Sequence, residues 1–461
     1  MQGVVERSKN QWVSHVEQLL DAAGGGGDTS EEARQWRKQS VYRVPGYIKN
    51  GSSYGPQMVS LGPLHHGAAE LLPAEAHKER ALLHLLRRGG ADGRRLRLGA
   101  LVASMEEVVD ELQEAYECLD AAWRRDDRDA FVKMMVLDGC FLLEVMRTAE
   151  LNGREASDDY AVDDPVFSRH GELYVFPYVR RDMLMIENQL PLLVLQRILA
   201  FVHATDSATD DAINNMVLRF VTMIPDPPAM SGGGSLALHP LDVCHRSLLH
   251  GRSPPSHAGR REEFVPSATE LDQAGVTFRP SRTCSLRDIS FHRGELRIPR
   301  LPIDDTTEHK LFSLMAFEKL HASAVAGGNE VTAYVFFMDN VIKSADDARL
   351  LGGVVSNGLG SDKAVAEMYN RLANEAVLDG RSALHDVHWE VNAYRERRWN
   401  QWRASLVKNH AANPWAIISL VVAFVLLVLT VLQTVYTVLP YYQDQAASSS
   451  AGIAGQLHPE L

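Results

Sequence analysis

An uninterrupted apolar run from Trp415 to Leu439 constrains everything else about this chain. It reads WAIISLVVAFVLLVLTVLQTVYTVL, and no charged residue lies between Lys408 and Asp444. At ~1.5 Å per residue a helix over the run measures roughly 37 Å, enough to cross a hydrocarbon core of ~30 Å with some tilt. A buried core helix is the alternative. Core helices rarely lack a polar face over about seven turns, so a membrane span is the reading taken here. The sequence therefore divides into a large N-terminal part, an anchor at 414–439 bounded by Trp415 and Leu439, and a short tail at 440–461.

Arg395, Arg397, Arg398, Arg403 and Lys408 precede the anchor with Glu396 among them, and no Lys or Arg follows position 408. The positive-inside bias predicts a cytosolic N-terminal domain, single-pass topology and a tail across the bilayer. Trp415, Tyr436, Tyr441 and Tyr442 stand where interfacial aromatics are expected. The start, MQGVVERSKNQWVSHVEQ, has no apolar h-region and does not read as a secretory signal. Cys118, Cys140, Cys244 and Cys284 are scattered, Cys118 and Cys140 within helical patterns, which suits free thiols in a reducing compartment. A net charge of -12 with 23% charged residues excludes a nucleic-acid binder by bulk electrostatics. The basic cluster Arg87, Arg88, Arg94, Arg95 and Arg97 reads as a solvated loop, with contact to anionic headgroups as the alternative.

The large part is mostly helical in period. Residues 1–40 form an N-terminal helical segment: Trp12, Val16, Leu19 and Leu20 make an apolar stripe, Gly24 to Gly27 break it, and Thr29 with Glu32 resembles a capping box. Leu101, Met105, Val108, Leu112, Ala115 and Leu119 predict one long amphipathic helix. Phe131, Met134, Met135, Phe141, Leu142 and Val145 predict the next, and a third is expected from about Arg181 to His203. The stretches Pro225–Gly234 and Gly251–Pro266 read as surface loops or insertions. Val276–Arg279 and Ser285–Ile298 alternate like strands around a turn at His292–Glu295. Val365, Met368, Tyr369, Leu372 and Ala376 mark a helix capped by Ser361 or Asp362, and a charged helix from about Asp386 to Val407 leads to the anchor. The expected fold is a mainly α soluble domain over 41–410 with a minor β element, its loops near 225–266, plus one C-terminal transmembrane helix.

The blocks VYRVPGYIK, YGPQMVSLGPLHHG, FVKMMVLDGCFLLEVM and RRDMLMIENQLPLLVL resemble signatures of the plant DUF247 family, also called UPF0481. ATELDQAGVTF, DISFHRGELRIPRLPID, AFEKLH and the closing apolar helix agree with it, so the resemblance covers nearly the whole chain. One departure is Leu64, where the family commonly has an aromatic residue. The resemblance implies a plant protein of a family that is largely uncharacterised biochemically. Some grass members are similar to pollen-side self-incompatibility determinants, which implies recognition for those members.

Several polar residues stand out. Asp138 lies mid-stripe, four after Met134 and three before Phe141, and Glu187 lies four after Met183 and three before Leu190. Two acids buried on facing helices need partners. Pro191 removes the bond to the carbonyl of Glu187, which predicts a kink, with Asn188 and Gln189 able to serve the freed groups. A buried polar network fixing helix packing is the structural reading, and an acid pair or ligand site the functional one. His65 and His66 read as capping or packing residues of the motif loop, because no spacing nearby completes a metal site. His239, Cys244 and His245 lack a zinc spacing, and GVVSNGLGSD lacks the Walker lysine. No catalytic, cofactor or metal residues are assigned. Three functions compete: a membrane-tethered protein that binds an unknown protein partner in recognition or signalling, a membrane-anchored hydrolase-like enzyme using buried carboxylates, and a scaffold that oligomerises with itself or a paralogue.

Overall fold

The computed structural model describes residues 38–46, 55–90, 95–151, 159–203, 209–225, 234–251, 264–321, 329–374, 384–396 and 414–454, with a few isolated positions besides. In chain order it builds α1 (Leu72–Arg88), α2 (Leu98–Glu106), α3 (Val109–Glu114), α4 (Arg128–Glu150), α5 (Arg169–Tyr174), α6 (Phe176–Asp182), α7 (Leu192–His203), α8 (Asp210–Thr222), α9 (Pro240–Leu248) and α10 (Ala268–Gln273). Then follow β1 (Thr277–Pro280), β2 (Ser290–His292), β3 (Glu295–Ile298), β4 (Pro302–Ile303), α11 (Thr307–Leu320), α12 (Glu330–Val341), α13 (Ala345–Leu350), β5 (Ser356–Asn357), α14 (Asp362–Ala373), α15 (His385–Arg395) and α16 (Pro414–Ala454). The chain is mainly α with a minor β element, as its periodicity predicts.

The centre is α4. From Phe131 to Val145 only Lys133 is exposed, and a helix that is apolar all round belongs inside. Asp127 caps its start by accepting from the Ala130 N–H. α1, α2, α7 and α8 pack around it. A Cβ on Gly139 would meet Ile198 and Val194 of α7 at 2.5 and 2.6 Å, so the bare glycine lets α7 close on α4. The buried apolar residues form one cluster running from Val41 to Val391.

The β element is small. β3 pairs in parallel with β1, Thr277 opposite Glu295, and antiparallel with β2, Phe291 opposite Leu296. Arg293 and Gly294, both at positive φ, make the two-residue turn between β2 and β3. Ser285–Ile289 is not strand: the Leu286 N–H donates to the Leu248 carbonyl at the end of α9 instead. β4 and β5 form a two-residue parallel pair.

Three helix expectations need correction. The helix expected over Leu101–Leu119 is two, α2 and α3, broken at Glu107–Val108. Cys118 sits in a turn at φ 52, outside any helix. The helix expected from Arg181 to His203 stops at Asp182 and restarts at Leu192, so Pro191 marks a break rather than a kink and Glu187 lies in the intervening turns. Arg88 is not part of a solvated loop. It ends α1 against Glu144 and Asp159. The stripe Trp12–Leu20, the Thr29/Glu32 box, the core of both loop stretches and the basic run 397–408 fall almost wholly outside the described residues.

The C-terminal apolar run lies in a single helix, α16, and Val421–Pro440 within it has mean hydropathy 2.3 and no buried share, which makes it a candidate membrane span. Thr430, Thr434 and Thr437 donate their hydroxyls to the carbonyls of Leu426, Thr430 and Gln433 at 2.7–2.8 Å. Such back-bonding lets a hydroxyl sit in an apolar helix without a free donor. The helix continues beyond Leu439, through Pro440, to Ala454, so the segment expected as a short tail begins as helix.

Candidate functional site: a buried strap held by side chains

Residues 55–62 of the YGPQMVSLGPLHHG block run without regular secondary structure through the domain. An extended backbone buried away from a sheet leaves its N–H and C=O groups needing partners. Here side chains supply them. The Asp182 carboxylate accepts from the N–H groups of Gln57, Met58 and Val59 at 2.6–3.0 Å. Asn188 accepts from Leu61 N–H at 2.8 Å and donates to Val59 O at 3.0 Å, matching one peptide edge like a neighbouring strand. Asp138 Oδ2 accepts from Gly62 N–H at 2.8 Å. Lys78 Nζ donates to the Ser60 carbonyl at 2.7 Å.

The charges in this network are paired. Lys78 is fully buried, and its Nζ lies 2.6 Å from Asp138 Oδ1 and 2.6 Å from Glu75 Oε1. Burial works against the charge of Lys78, but Asp138 and Glu75 outweigh it and lift the ammonium above its usual range. Burial raises Asp138 above the usual carboxylate range, with Lys78 and the Gly62 N–H offsetting part of that. Asp182 is likewise raised by burial, against the three N–H groups it binds and the adjacent Arg181.

Gly62 is the tightest point. Its φ is +72, and a Cβ there would stand 2.6 Å from the Tyr116 hydroxyl and 2.8 Å from the Gln189 carbonyl. Tyr116 donates that hydroxyl to the same Gln189 carbonyl at 3.0 Å. Gln189 donates to the carbonyls of Met183 and Met185 and accepts from Leu241 N–H at 3.0 Å. Asn188 also donates to the Asp182 carbonyl at 3.1 Å. Asn188 and Gln189 thus serve carbonyls left open where α6 ends, and tie that end to the strap and to α9.

Glu187 belongs to a second strap. Its Oε1 accepts from Val44 N–H at 2.7 Å, and its Oε2 lies 3.4 Å from half-buried His65 Nε2. His66 packs edge-on against Trp123, ring centroids 5.6 Å apart. The strap begins at Ser40 and Val41, whose N–H groups both reach the Ala115 carbonyl at 2.9 Å. His239 holds the same strap: Nε2 reaches the Ser40 carbonyl at 2.9 Å while Nδ1 accepts from Asp242 N–H. Both its nitrogens are engaged, and no cluster of His, Cys, Asp and Glu able to hold a metal occurs among the described residues.

Glu144 is a separate buried acid. It receives Arg88, Arg147 and the Tyr160 hydroxyl. Burial opposes its charge, but the two guanidinium groups outweigh that and hold it below the usual range.

Asp138, Asn188 and Gln189 therefore meet at one strap, while Glu187 grips another. Asp138 and Glu187 do not form a pair with each other. Lys78 and Asp182 are the missed members. Lys78 had a readable signal, since it falls on the stripe Leu71, Ala74, Ala81 and Leu85 that α1 and its preceding residue bury. Among the described residues, clefts of about 570, 480 and 660 Å³ open elsewhere on the domain, and neither acid lines these.

Blocks 76 to 143 residues apart in sequence are thus bonded to one another inside a mainly helical domain that is followed by a candidate span. That defines a class in which the signature residues bind the chain's own backbone. The chain belongs to the DUF247 family, described as a plant protein of unknown function, which it matches over residues 41–429. It is similar to the UPF0481 protein At3g47200 of Arabidopsis thaliana, 26% identical over 89% of this chain and 88% of that protein. It is also similar to the putative UPF0481 protein At3g02645 of Arabidopsis thaliana, 24% identical over 92% of this chain and 94% of that one. No solved structure matches it.

Proposed function

We propose that this protein is a membrane-tethered interaction protein that binds a protein partner in recognition or signalling, with its domain in the cytosol and its anchor at 421–440. A self-incompatibility-like role is the narrower form of this reading. The observation that carries it is the use made of the buried acids. Asp138 and Glu187 are each occupied by a backbone N–H group and by a cation or histidine, and neither lines any of the clefts described above. General acid–base chemistry needs a titrating group within reach of a bound substrate.

The surface around the loops supports the placement of the partner site. The cleft of about 480 Å³ is lined by Met223, Ile224 and Pro225 with Arg180 and Arg219, at the start of the first loop. The cleft of about 660 Å³ is lined by Leu236, Ala237 and Leu238, at its end. Met223 and Ile224 are exposed, as is Phe264 at the close of the second loop. Loops can vary in sequence without losing core packing, so they are the economical place for partner choice. Exchanging 225–234 and 251–266 for those of a close paralogue, then identifying neighbours by proximity labelling in native cells, tests this. Partner preference follows the loops if the reading holds. A folded chimera with unchanged preference contradicts it.

A further inference from the structure

The cleft of about 480 Å³ lies where the end of α4, α6 and α8 meet, and its charges are unevenly matched. Arg180 stands over the Phe220 ring, its guanidinium carbon 4.7 Å from the centroid, and donates Nε to the Phe220 carbonyl at 2.7 Å. Phe220 is buried and is itself met edge-on by Phe176, ring centroids 5.9 Å apart, so the guanidinium rests on a fixed platform. One face and one edge of Arg180 are thereby used. Its two terminal nitrogens have no hydrogen-bond partner among the described residues. The two acids of the cleft are engaged elsewhere: Glu172 receives Arg169 at 2.6 Å, and Glu150 lies 3.6 Å from Arg219. Burial pushes the Arg180 guanidinium below its ordinary value, and the charge of Glu172 offsets only part of that.

The apolar side of the same cleft is presented at a conformational cost. Met223 follows α8 at φ 57, the left-handed conformation that caps a helix and that glycine adopts with least strain. Its N–H returns to the Arg219 carbonyl at 2.8 Å, which fixes its position. The residue is nevertheless 69% exposed, and Ile224 after it 44%. Apolar side chains held at a strained turn and left in water point to a contact surface.

We propose that this cleft binds an acidic peptide of the partner, a carboxylate forking onto the terminal nitrogens of Arg180 while a neighbouring apolar side chain packs on Met223 and Ile224. This rests on the reading that the surface at the first loop receives the partner, and it names that partner's chemistry. A guanidinium whose Nε is already taken presents its end-on pair of N–H groups, which a carboxylate matches with two parallel bonds. A monoanion suits the place better than a phosphate. One guanidinium is uncompensated, and Glu150 and Glu172 on the same walls repel a second negative charge. Arg219 and Glu150 are both about half exposed, so their pair is weak and leaves Arg219 able to turn to a further acid in the peptide.

The test offers the full chain, in phosphatidylcholine nanodiscs, synthetic peptide libraries with random flanks around a fixed Asp-Leu, Asn-Leu, Lys-Leu or phosphoserine-Leu. Retention of Asp-Leu at least about tenfold above Asn-Leu and above empty nanodiscs is expected. Arg180→Met, which keeps an apolar contact with Phe220, is expected to bring Asp-Leu down to the Asn-Leu level. Met223→Gly removes a side chain and relieves the backbone. It is expected to lower retention about fivefold with a melting temperature equal to or above the parent's, so it serves even if Arg180→Met does not fold. Undiminished retention by Met223→Gly overturns the proposal. Equal retention of all four libraries, or a preference for Lys-Leu, overturns the cleft as an anion site and leaves the loop reading standing. A preference for phosphoserine-Leu overturns the carboxylate in favour of a phosphopeptide. Retention that rises in Asp226→Asn, next in sequence to Pro225 of the lining, shows that the chain's own acid fills the place and overturns binding of a partner's acid there. Unchanged cellular partners after loop exchange, with Asp-Leu still retained, sustain the acidic-peptide site and sink the loop reading alone.

Discussion

Lys78 Nζ and Asp138 Oδ1 are 2.6 Å apart, and neither side chain is more than 1% exposed. They come from α1 and α4, the two helices between which the strap enters. The pair does more than join helices. Lys78 fixes the carbonyl of Ser60 and Asp138 fixes the N–H of Gly62, so the ion pair clamps the irregular chain at two points two residues apart.

The Gly62 position should tolerate no side chain. Gly62→Ala adds a left-handed penalty of about 1–2 kcal/mol and also forces a methyl against the Gln189 carbonyl. Gly67 is the internal control, at φ +80 with open space where its Cβ would go. Chemical denaturation should show Gly62→Ala the more destabilising by at least about 1 kcal/mol. Equal losses at the two sites would mean that the contact with Tyr116 and Gln189 is not tight in solution.

Acid should loosen the N-terminal strap. Burial pushes His239 down to about 4, with Asp242 and the Ser40 carbonyl opposing that and His321 and Arg246 adding to it. A histidine whose folded value lies below its unfolded value of about 6.5 contributes stability that is complete above that pH. That contribution is lost as pH falls from about 6.5 towards 4, by roughly 3 kcal/mol in all. His321 is also lowered by burial and works in the same direction. His239→Gln should flatten the acid side of the melting-temperature profile between pH 6.5 and 4. An unchanged slope would show that His239 is not the group responsible.

How much of this could be read beforehand differs from residue to residue. The core helix α4 was legible because its apolar residues recur with helical spacing on every face. Asp138 stood out for the same reason, as a carboxylate inside that pattern. Lys78 did not, because Glu75, Glu79 and Arg80 around it look like a solvated face, and its place on the Ala74–Leu85 stripe is visible only when charge is ignored. Asp182 was hidden beside Arg180 and Arg181 at what reads as an ordinary charged helix end. The turns at 183–191 were misread as helix because Met183, Leu184, Ile186 and Leu190 keep an apolar spacing that side chains of a buried loop also satisfy. Periodicity reports burial, and here the hydrogen-bond partners, which decide conformation, came from 120 or more residues away.

The anchor should be separable from the fold. The Val421–Pro440 stretch has no buried share. A chain ending at residue 413 should remain folded and leave the membrane fraction on carbonate extraction. Retention of the truncated chain in the carbonate-resistant pellet would reveal a second membrane element.

The central claim is that the signature blocks act by holding the strap, and a double-mutant cycle on its buried ion pair tests it most directly. Lys78→Met leaves Asp138 buried and unpaired, and Asp138→Asn keeps an acceptor for Gly62 while leaving Lys78 with Glu75 as its remaining counter-charge. Each single change should cost about 3–5 kcal/mol of unfolding free energy. Their combination should cost clearly less than the sum, with a coupling of roughly 1–3 kcal/mol. Single variants as stable as the parent, or costs that simply add, would contradict the account and return Asp138 to consideration as a group held for chemistry.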